Sequence, residues 1–412
     1  MTTRRPAAAN QVRAVRQTAA AMDFGRHLVT VGATARSFGQ LGLAVAPWVP
    51  GAGPSRAGDV DDEFVTRHVG AGVAGARCEQ VRPLDGTSGT TDRRRIGLTW
   101  NDAGVAAGLP ASVFVKSTPL SAKNRAMVGP LDMAVNEARF YNEVRPALGD
   151  VAPTSWYAHA SNGARHLLLL EDLVARGCTP FALSDTCTIE HARAIVISQA
   201  SLHASMWESP RLDSDLAWVK RWSERPGYVI LTTFYRRGRR GAIKSDRPEI
   251  TPAVRRLADA LDAHAGALYA LMEDGPLTFL HGDPHFGNSY ATADGHAGYL
   301  DWQVVWQGPG LRDVTYFLTG ALEPELRRSC ERELLQTYLD ELARLGVAEV
   351  LSLDAAFERY RCFAAEAWDA GAMTVAWPGL QAPDNVDAAF RRGCAAVEDL
   401  EVATAIEALA DN

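Results

Sequence analysis

The chain has 412 residues, of which 47% are hydrophobic and 22% are charged, and its formal net charge is −7. These values are typical of a soluble globular protein with two or three domains, or of one bilobal enzyme with an extension. The negative charge excludes the global basic field of many nucleic-acid-binding proteins, so we expect no nucleic-acid partner.

The six cysteines are widely scattered and form no CxxC pair, so the sequence indicates neither a zinc site nor a disulfide framework. A reducing cytoplasm is the simplest compartment for such a chain. The longest apolar runs are shorter than the roughly 20 residues that cross a bilayer, so we predict no membrane span.

Residues 1–57 form a predicted N-terminal extension. Positions 1–21 contain four arginines and no acid, a pattern that superficially resembles a transit peptide but that we interpret as a basic, alanine-rich helical arm. Apolar residues recur over 22–48 and predict a helix that packs on the main body or on a partner subunit. The Pro- and Gly-rich stretch 47–58 then reads as a linker.

The next region contains a turn rich in Gly, Ser and Thr just ahead of two predicted strands. Such a turn can lie over phosphates with its backbone N–H groups and hydroxyls, although most turns of this composition are only turns. The candidate nucleotide-binding residues in it are Gly86, Ser88, Gly89 and Thr90.

Lys116 closes a predicted buried strand, ASVFVKS, in a chain that has only four lysines against 38 arginines. A strand-end lysine is commonly just exposed, but a kinase needs one that binds the α- and β-phosphates and pairs with a helix glutamate. Glu137 is the candidate partner because apolar residues flank it at helical spacing. Glu143 lies on a more polar face and is the second choice.

The stretch from Leu280 to Leu318 carries the strongest motif. It contains HGDPHFGN and LDWQ, in which Asp283 and Asn288 are five residues apart and Asp301 lies thirteen residues further on. The kinase catalytic loop has an Asp and an Asn at this separation, followed by a metal-binding Asp. We therefore predict that Asp283 is the catalytic base and that Asn288 and Asp301 hold Mg²⁺ against the phosphates of ATP.

Two histidines accompany these residues. His281 is predicted to support the sharp backbone of the loop by a local hydrogen bond. His285 is a candidate contact to substrate or phosphate, with a structural role as the alternative.

HGDxxxxN, LDWQ and the later D-x-x-x-F-L around Asp313 resemble the aminoglycoside phosphotransferase and choline kinase superfamily, and most of all its ecdysteroid-kinase-like branch. The resemblance covers about residues 60–370. It implies an α+β, bilobal protein-kinase-like fold with a mainly β N-lobe at 58–172 and a helical C-lobe at 173–412. It also implies that the backbone from Glu171 to Leu173, where a leucine-rich strand meets a polar crossover, binds adenine, and that Asp313 has a structural role.

The acceptor is predicted from the residue types of the expected pocket segments. Aminoglycosides are polycations and need a pocket rich in acids, whereas these segments are richer in aromatic residues. This favours a bulky, partly apolar alcohol such as a steroid, terpenoid or polyketide, although each aromatic residue alone could equally belong to the core. The candidate substrate contacts are His285, Trp302, Trp306, Trp368 and Asp369.

Two alternatives remain beside a kinase for such alcohols. One is an O-phosphotransferase for an aminoglycoside or another antibiotic. The other is a non-catalytic nucleotide-binding protein, which the intact set of Lys116, Asp283, Asn288 and Asp301 disfavours. A protein kinase is disfavoured because no APE-like segment follows LDW.

Overall fold

The structure is a computed structural model that describes residues 53–89, 91–161 and 164–411, together with positions 31, 32, 35 and 39. Thr90 and nearly all of the predicted N-terminal extension lie outside the described residues. The predicted assembly through that extension lies outside them as well. The domain boundaries given above stay predictions.

The N-lobe is built on a five-stranded antiparallel sheet in the order β1-β2-β3-β5-β4. Val113 and Leu169 on one face of the central strands pack into a small N-lobe core. On the other face, Leu168 and Leu170 belong to the main core of the protein. Both faces are therefore covered, which explains the uninterrupted run of leucines in β5. The strands are β1 (Cys78–Ser88), β2 (Asp92–Trp100), β3 (Ser112–Ser117), β4 (Ser155–Ser161) and β5 (Arg165–Glu171).

Short helices flank this sheet. The first begins at Asp61, whose side chain accepts a hydrogen bond of 2.7 Å from the backbone N–H of Phe64. The fourth continues as one π-helical turn over Phe140–Val144. The helices are α1 (Asp62–His68), α2 (Asp102–Ala106), α3 (Ala122–Val128) and α4 (Met133–Arg139).

The C-lobe is mainly helical. Its helices α8 and α10 pack on each other and surround the segment that carries the candidate catalytic residues. The helices are α5 (Ile189–Ser205), α6 (Tyr228–Ala242), α7 (Pro252–Leu271), α8 (Leu311–Ala321), α9 (Pro324–Arg344), α10 (Leu353–Ala376), α11 (Pro383–Asp399) and α12 (Val402–Asp411).

Two small antiparallel sheets hold the candidate catalytic segment between the helices. One pairs β7 with β10, and the other has the order β6-β8-β9. The β8–β9 hairpin turns at Gly295, whose φ of +86° favours glycine, as the Ala-Asp-Gly sequence predicts. The strands are β6 (Thr179–Pro180), β7 (Thr278–Leu280), β8 (Ser289–Ala291), β9 (Ala297–Tyr299) and β10 (Trp306–Gly308).

The predicted fold class is confirmed, because a mainly β N-lobe precedes a larger helical C-lobe. All six cysteines are buried free thiols. Among the helices that the structure describes, none is long and apolar enough to cross a membrane.

Two of the predicted substrate contacts are core residues. Trp302 has no exposed surface and stacks on Phe140, with ring centroids 4.0 Å apart and planes at 7°. Trp306 is equally buried, and its ring centroid lies 5.4 Å from that of Trp222. We therefore correct the prediction that these tryptophans contact the acceptor, since the chain after Asp301 turns into the core rather than along the pocket.

Replacing Trp302 by alanine should lower the free energy of unfolding by about 3–5 kcal/mol, because it leaves a large cavity between the lobes. Urea denaturation followed by circular dichroism measures this loss. Phe234, which is 43% exposed, provides the control, and Phe234→Ala should cost clearly less. Equal losses in the two variants would contradict the assignment of Trp302 to the core.

Candidate active site

The side chain of Lys116 joins the two lobes. Its Nζ lies 2.8 Å from Oε1 of Glu137 in α4 and 2.9 Å from Oδ1 of Asp301 in the C-lobe. Burial alone would lower the pKa of Lys116, but the charges of Asp301 and Glu137 together raise it above its ordinary value. Lys116 is therefore a permanent cation where the lobes meet, and only 3% of its surface is exposed.

Gln303 strengthens this junction and is a residue that the sequence analysis missed. Its Nε2 donates a hydrogen bond of 3.2 Å to Oε2 of Glu137, and its backbone carbonyl accepts one of 3.3 Å from Asn136 Nδ2. Gln303 is the last residue of LDWQ, so the signal was present in the motif. Both oxygens of Glu137 are thereby held, which fixes the carboxylate that orients Lys116.

Asp301 has a backbone conformation that is unusual for a residue other than glycine. Its φ is +63°, in the left-handed region, and such strained positions concentrate at functional sites. Burial would raise the pKa of Asp301, but Lys116 and, more weakly, Arg93 lower it below its ordinary value. Asp301 is therefore an ionised carboxylate, and its side chain is 27% exposed towards the cleft.

The glycine-rich turn forms the tip of the β1–β2 hairpin. Gly86 and Ser88 lie in β1 and are exposed, and the carbonyl of Gly89 accepts a hydrogen bond from the side-chain amide of Asn124 in α3. Arg93, in the strand after the turn, pairs in register with Lys116. The hairpin thus brings a second cation to the edge of the cleft, which the sequence analysis did not identify.

The segment Glu171–Leu173 connects the lobes, in the place expected for the adenine-binding crossover. Glu171 ends β5, and its backbone N–H donates to the carbonyl of Thr154 at 2.9 Å. The buried Asp172 accepts hydrogen bonds from Ser112 at 2.6 Å and from Arg95 at 3.0 Å. Leu173 is buried against the C-lobe residue Tyr290. The crossover is therefore tied to strands on one side and to the C-lobe on the other.

Asp283 lies at the surface of the cleft, and its side chain is 38% exposed. Its Oδ1 accepts a hydrogen bond of 2.9 Å from the hydroxyl of Tyr316 in α8, and its Oδ2 is 3.8 Å from Nε2 of His285. Asn288 Nδ2 donates to the backbone carbonyl of Asp283 at 3.0 Å. One carboxylate oxygen is thus oriented by Tyr316, which leaves the other to receive a hydroxyl group.

The side chain of His281 forms hydrogen bonds within the loop, and these bonds define its tautomer. Its Nε2 donates to the carbonyl of Leu300 at 2.8 Å, so its Nδ1 is the acceptor for the backbone N–H of Asp283 at 3.2 Å. Burial lowers the pKa of His281, which keeps the ring neutral. The neutral imidazole fixes Asp283 relative to the residue that precedes Asp301.

A network of buried charged residues in the C-lobe holds the backbone of the same loop. Asp313 Oδ2 accepts the backbone N–H of His281 at 2.7 Å, while Arg312 Nη1 donates to the carbonyl of Gly282 at 2.8 Å. Arg312 also contacts Asp313 at 2.9 Å and binds both oxygens of Glu366 at 2.6 and 2.7 Å. Burial would raise the pKa of Asp313, but His203 and Arg312 lower it to about 2. The loop backbone is therefore held by two ionised groups of opposite sign.

Gly282 is required by space as well as by conformation. Its φ is +84°, and a Cβ added there would lie 2.4 Å from the carbonyl oxygen of Val304. The backbone of the loop therefore lies so close to the segment after Asp301 that a side chain at position 282 would not fit.

A cavity of about 220 Å³ opens beside Asp283 and His285, between the loop and helices α6, α8, α10 and α11. Its wall is mostly apolar, with Leu131, Leu231 and Met373 among the lining residues. Asp283 is the one carboxylate among the described residues of this wall. Trp368, one of the predicted substrate contacts, also lines it.

Asp369 does not reach this cavity, and we correct its prediction as a substrate contact. It is 3% exposed and forms a buried ion pair with Arg239 of α6. Burial raises the pKa of Asp369 to about 6 in spite of Arg239. At its position in α10 the aspartate turns towards α6 while Trp368 faces the cavity, so Asp369 links two helices instead of binding an acceptor.

The model of the ecdysteroid kinase-like family matches residues 95–348, which is more than half of the chain. The chain belongs to the ecdysteroid kinase-like family. The resemblance inferred from HGDxxxxN and LDWQ is thereby confirmed, and the protein is a phosphotransferase with an alcohol group as acceptor.

Solved structures similar to this ecdysteroid kinase-like protein share little sequence with it. A putative aminoglycoside phosphotransferase from Ralstonia eutropha is 12% identical, with a TM-score of 0.47 over 83% of this chain and 96% of that chain. A choline kinase from Streptococcus pneumoniae is 12% identical, with a TM-score of 0.46 over 82% and 98%. A macrolide 2′-phosphotransferase from Brachybacterium faecium is 17% identical, with a TM-score of 0.41 over 81% and 95%. A search of curated protein sequences found no match.

Replacing Glu366 by glutamine should lower the free energy of unfolding of this kinase-like protein by about 3 kcal/mol, because the buried Arg312 loses one of its two counter-charges. Chemical denaturation measures the change.

The exposed pair of Glu325 and Arg328, also in the C-lobe, supplies the control for that prediction. Glu325→Gln should cost clearly less than Glu366→Gln, since surface ion pairs contribute little. If Glu366→Gln is no more destabilising than Glu325→Gln, the network does not anchor the loop as described.

Proposed function

We propose that this protein transfers the γ-phosphoryl group of ATP, with Mg²⁺, to a hydroxyl of a bulky, partly apolar alcohol such as a steroid, terpenoid or polyketide. The observation that carries the proposal is the cavity beside Asp283, because its wall is largely apolar and contains no carboxylate other than Asp283 among the described residues. A pocket for a polycationic aminoglycoside would need several acids. The antibiotic alternative therefore applies only to weakly charged antibiotics.

The position of Asp283 supports a role in orienting the acceptor. Tyr316 holds Oδ1 of the carboxylate and the His281 ring accepts the backbone N–H of Asp283, so Oδ2 is left to meet an acceptor hydroxyl in the cavity. Asp283 then aligns the hydroxyl with the γ-phosphorus and accepts its proton as the new P–O bond forms, while the bond from the γ-phosphorus to the bridging oxygen breaks and ADP leaves. Phosphoryl transfer passes through a loose transition state, so alignment contributes more than early proton removal.

Lys116 and Arg93 are the cations available for the phosphates of the donor. Lys116 is held by Glu137, which leaves its bond to Asp301 as the one that phosphate oxygens can replace. Arg93 stands next to it in the β2–β3 register. Together they offset the charge of a bound triphosphate.

Asn288 and Asp301 have the chemistry that Mg²⁺ prefers. The amide nitrogen of Asn288 is committed to the carbonyl of Asp283, which leaves its Oδ1 for a cation. Asp301 uses only Oδ1 for Lys116 within the described contacts, and the backbone N–H of Leu300 binds the carbonyl of Asn288 at 2.7 Å. These two residues would hold the ion, which supplies charge neutralisation at the β- and γ-phosphates when bound.

Asp283→Asn should lower turnover by about 10²- to 10⁴-fold because the amide cannot accept the hydroxyl proton, while nucleotide affinity stays unchanged. The measurement is ATP consumption with a panel of steroid, terpenoid and macrolide alcohols, together with calorimetric titration of a non-hydrolysable ATP analogue.

The control for Asp283→Asn is Asp294→Asn in the β8–β9 hairpin, where the aspartate side chain is 71% exposed. That variant should retain full activity. Equal turnover of wild type and Asp283→Asn would overturn the proposed mechanism.

Asp301→Asn should remove the Mg²⁺-dependent part of nucleotide binding, since one of two protein ligands loses its charge. We expect the affinity of the variant for a non-hydrolysable ATP analogue to be the same with Mg²⁺ as with EDTA.

Glu137→Gln is the matched control for Asp301→Asn, because it weakens the other ion pair of Lys116 without touching the metal ligands. It should lower affinity but retain the Mg²⁺ dependence. A full Mg²⁺ response in Asp301→Asn would exclude this carboxylate as a ligand.

A further inference from the structure

Arg225 lines the cavity beside Asp283 without a carboxylate partner among the described residues. Its guanidinium carbon lies 5.4 Å from the ring centroid of Trp222, and its Nη2 donates to the carbonyl of Val304 at 3.4 Å. A guanidinium carries five N–H donors, so most of its hydrogen-bonding capacity faces the cavity unused.

Acids around the segment that carries Arg225 are engaged elsewhere or exposed to solvent. Glu366 gives both oxygens to Arg312, and one of them also accepts the hydroxyl of Tyr235. Glu273 accepts the backbone N–H of Ser223, and Glu224 is exposed. Arg225 therefore contacts a carbonyl and an aromatic ring, and it forms no direct ion pair with a carboxylate among the described residues.

Arg225 is half-buried, so its unused N–H groups are open to a ligand in the cavity. Burial and, more weakly, the neighbouring charge of Arg312 lower the pKa of this side chain to about 10, and the charges of Tyr235 and Glu366 offset only part of that effect. Side chains with a perturbed pKa in a cleft are commonly part of a ligand-binding site, and Arg225 is such a side chain.

The location of Arg225 places it close to the reacting groups. Val304, whose carbonyl accepts its hydrogen bond, is also the residue against which Gly282 packs. Gly282 directly precedes Asp283. Arg225 and the loop that carries Asp283 therefore approach the same residue, Val304, and both line the cavity.

We propose that Arg225 binds an anionic group of the acceptor, so that the acceptor is a hydroxy acid: an apolar body that carries both the reacting hydroxyl and a carboxylate. This inference rests on the proposed function of the same site. The Asp283 carboxylate receives the hydroxyl, Arg225 pairs with the acid, and the apolar wall accommodates the body. Phosphoryl transfer then occurs on the hydroxyl and leaves the carboxylate unchanged.

The test is binding of carboxylic acids in the absence of nucleotide, which does not depend on kinase activity. The probes are 3-hydroxydecanoate, 12-hydroxydodecanoate, mandelate and cholate, each compared with its methyl ester by calorimetric titration. Because a hydrogen bond to a charged group contributes about 1.5–3 kcal/mol, an acid that fits should bind about ten- to a hundredfold more tightly than its ester.

Arg225→Gln should abolish this preference, so that acid and ester bind equally. Arg225→Lys retains the charge and should keep part of the preference, which also guards against loss of folding in the glutamine variant. Arg237, exposed on α6, provides the matched control, and Arg237→Gln should behave as the wild type.

The proposal is wrong if no acid of the panel binds the wild type better than its ester, or if the preference survives in Arg225→Gln. It is also wrong if Arg225→Gln lowers turnover equally with acids and esters, because that result would assign Arg225 to the transferred phosphoryl group. Absence of ATP consumption together with intact acid binding would contradict the kinase proposal instead, so the two failures are distinguishable.

Discussion

The buried ammonium of Lys116 is the interaction on which the active site depends. It is the point where a strand of the N-lobe, a helix of the N-lobe and the strained residue Asp301 of the C-lobe meet. A cation buried to this extent is stable only because two carboxylates compensate its desolvation. The geometry of the cleft therefore depends on the balance of these charges. An anionic ligand can replace Asp301 as a partner of Lys116, and the cation then still has two negative neighbours.

The acceptor side of the cleft is held by a second balanced cation, Arg312. This residue lines the cavity beside Asp283, and it binds Asp313, Glu366 and the carbonyl of Gly282 at once. The loop that carries Asp283 is thereby attached to α8 and α10, which also form the wall of the cavity. The same helices therefore position Asp283 and line the cavity beside it.

The structure brings together residues predicted for the nucleotide half of the site, whereas it places two of the predicted acceptor contacts in the core, and there is a physical reason for the difference. Asp283, Asn288 and Asp301 belong to one local segment whose spacing is constrained by a loop and a hairpin, and Lys116 and Glu137 lie on elements with clear periodicity. The fold class followed from the same order of elements.

The acceptor pocket is instead assembled from distant helices, in which the side-chain direction at each position decides between core and cavity. Trp302 and Asp369 were assigned wrongly for that reason, whereas Trp368 does face the cavity. Arg225 could not be identified from the sequence because it lies in an irregular segment. Its importance depends on which side chains surround it in the folded protein, and the sequence does not show them.

Three of the cations in the cleft, Lys116, Arg312 and Arg225, differ in the partners that the protein supplies. Arg312 is fully paired. Lys116 is also paired, but a phosphate oxygen can replace Asp301 as one of its two partners. Arg225 alone among them has a weak contact to a carbonyl and an aromatic face in place of a counter-charge. A neutral alcohol in the cavity would form no ion pair with Arg225. A carboxylate on the acceptor would form one, so an acidic alcohol gains an attraction that a neutral alcohol of the same shape lacks.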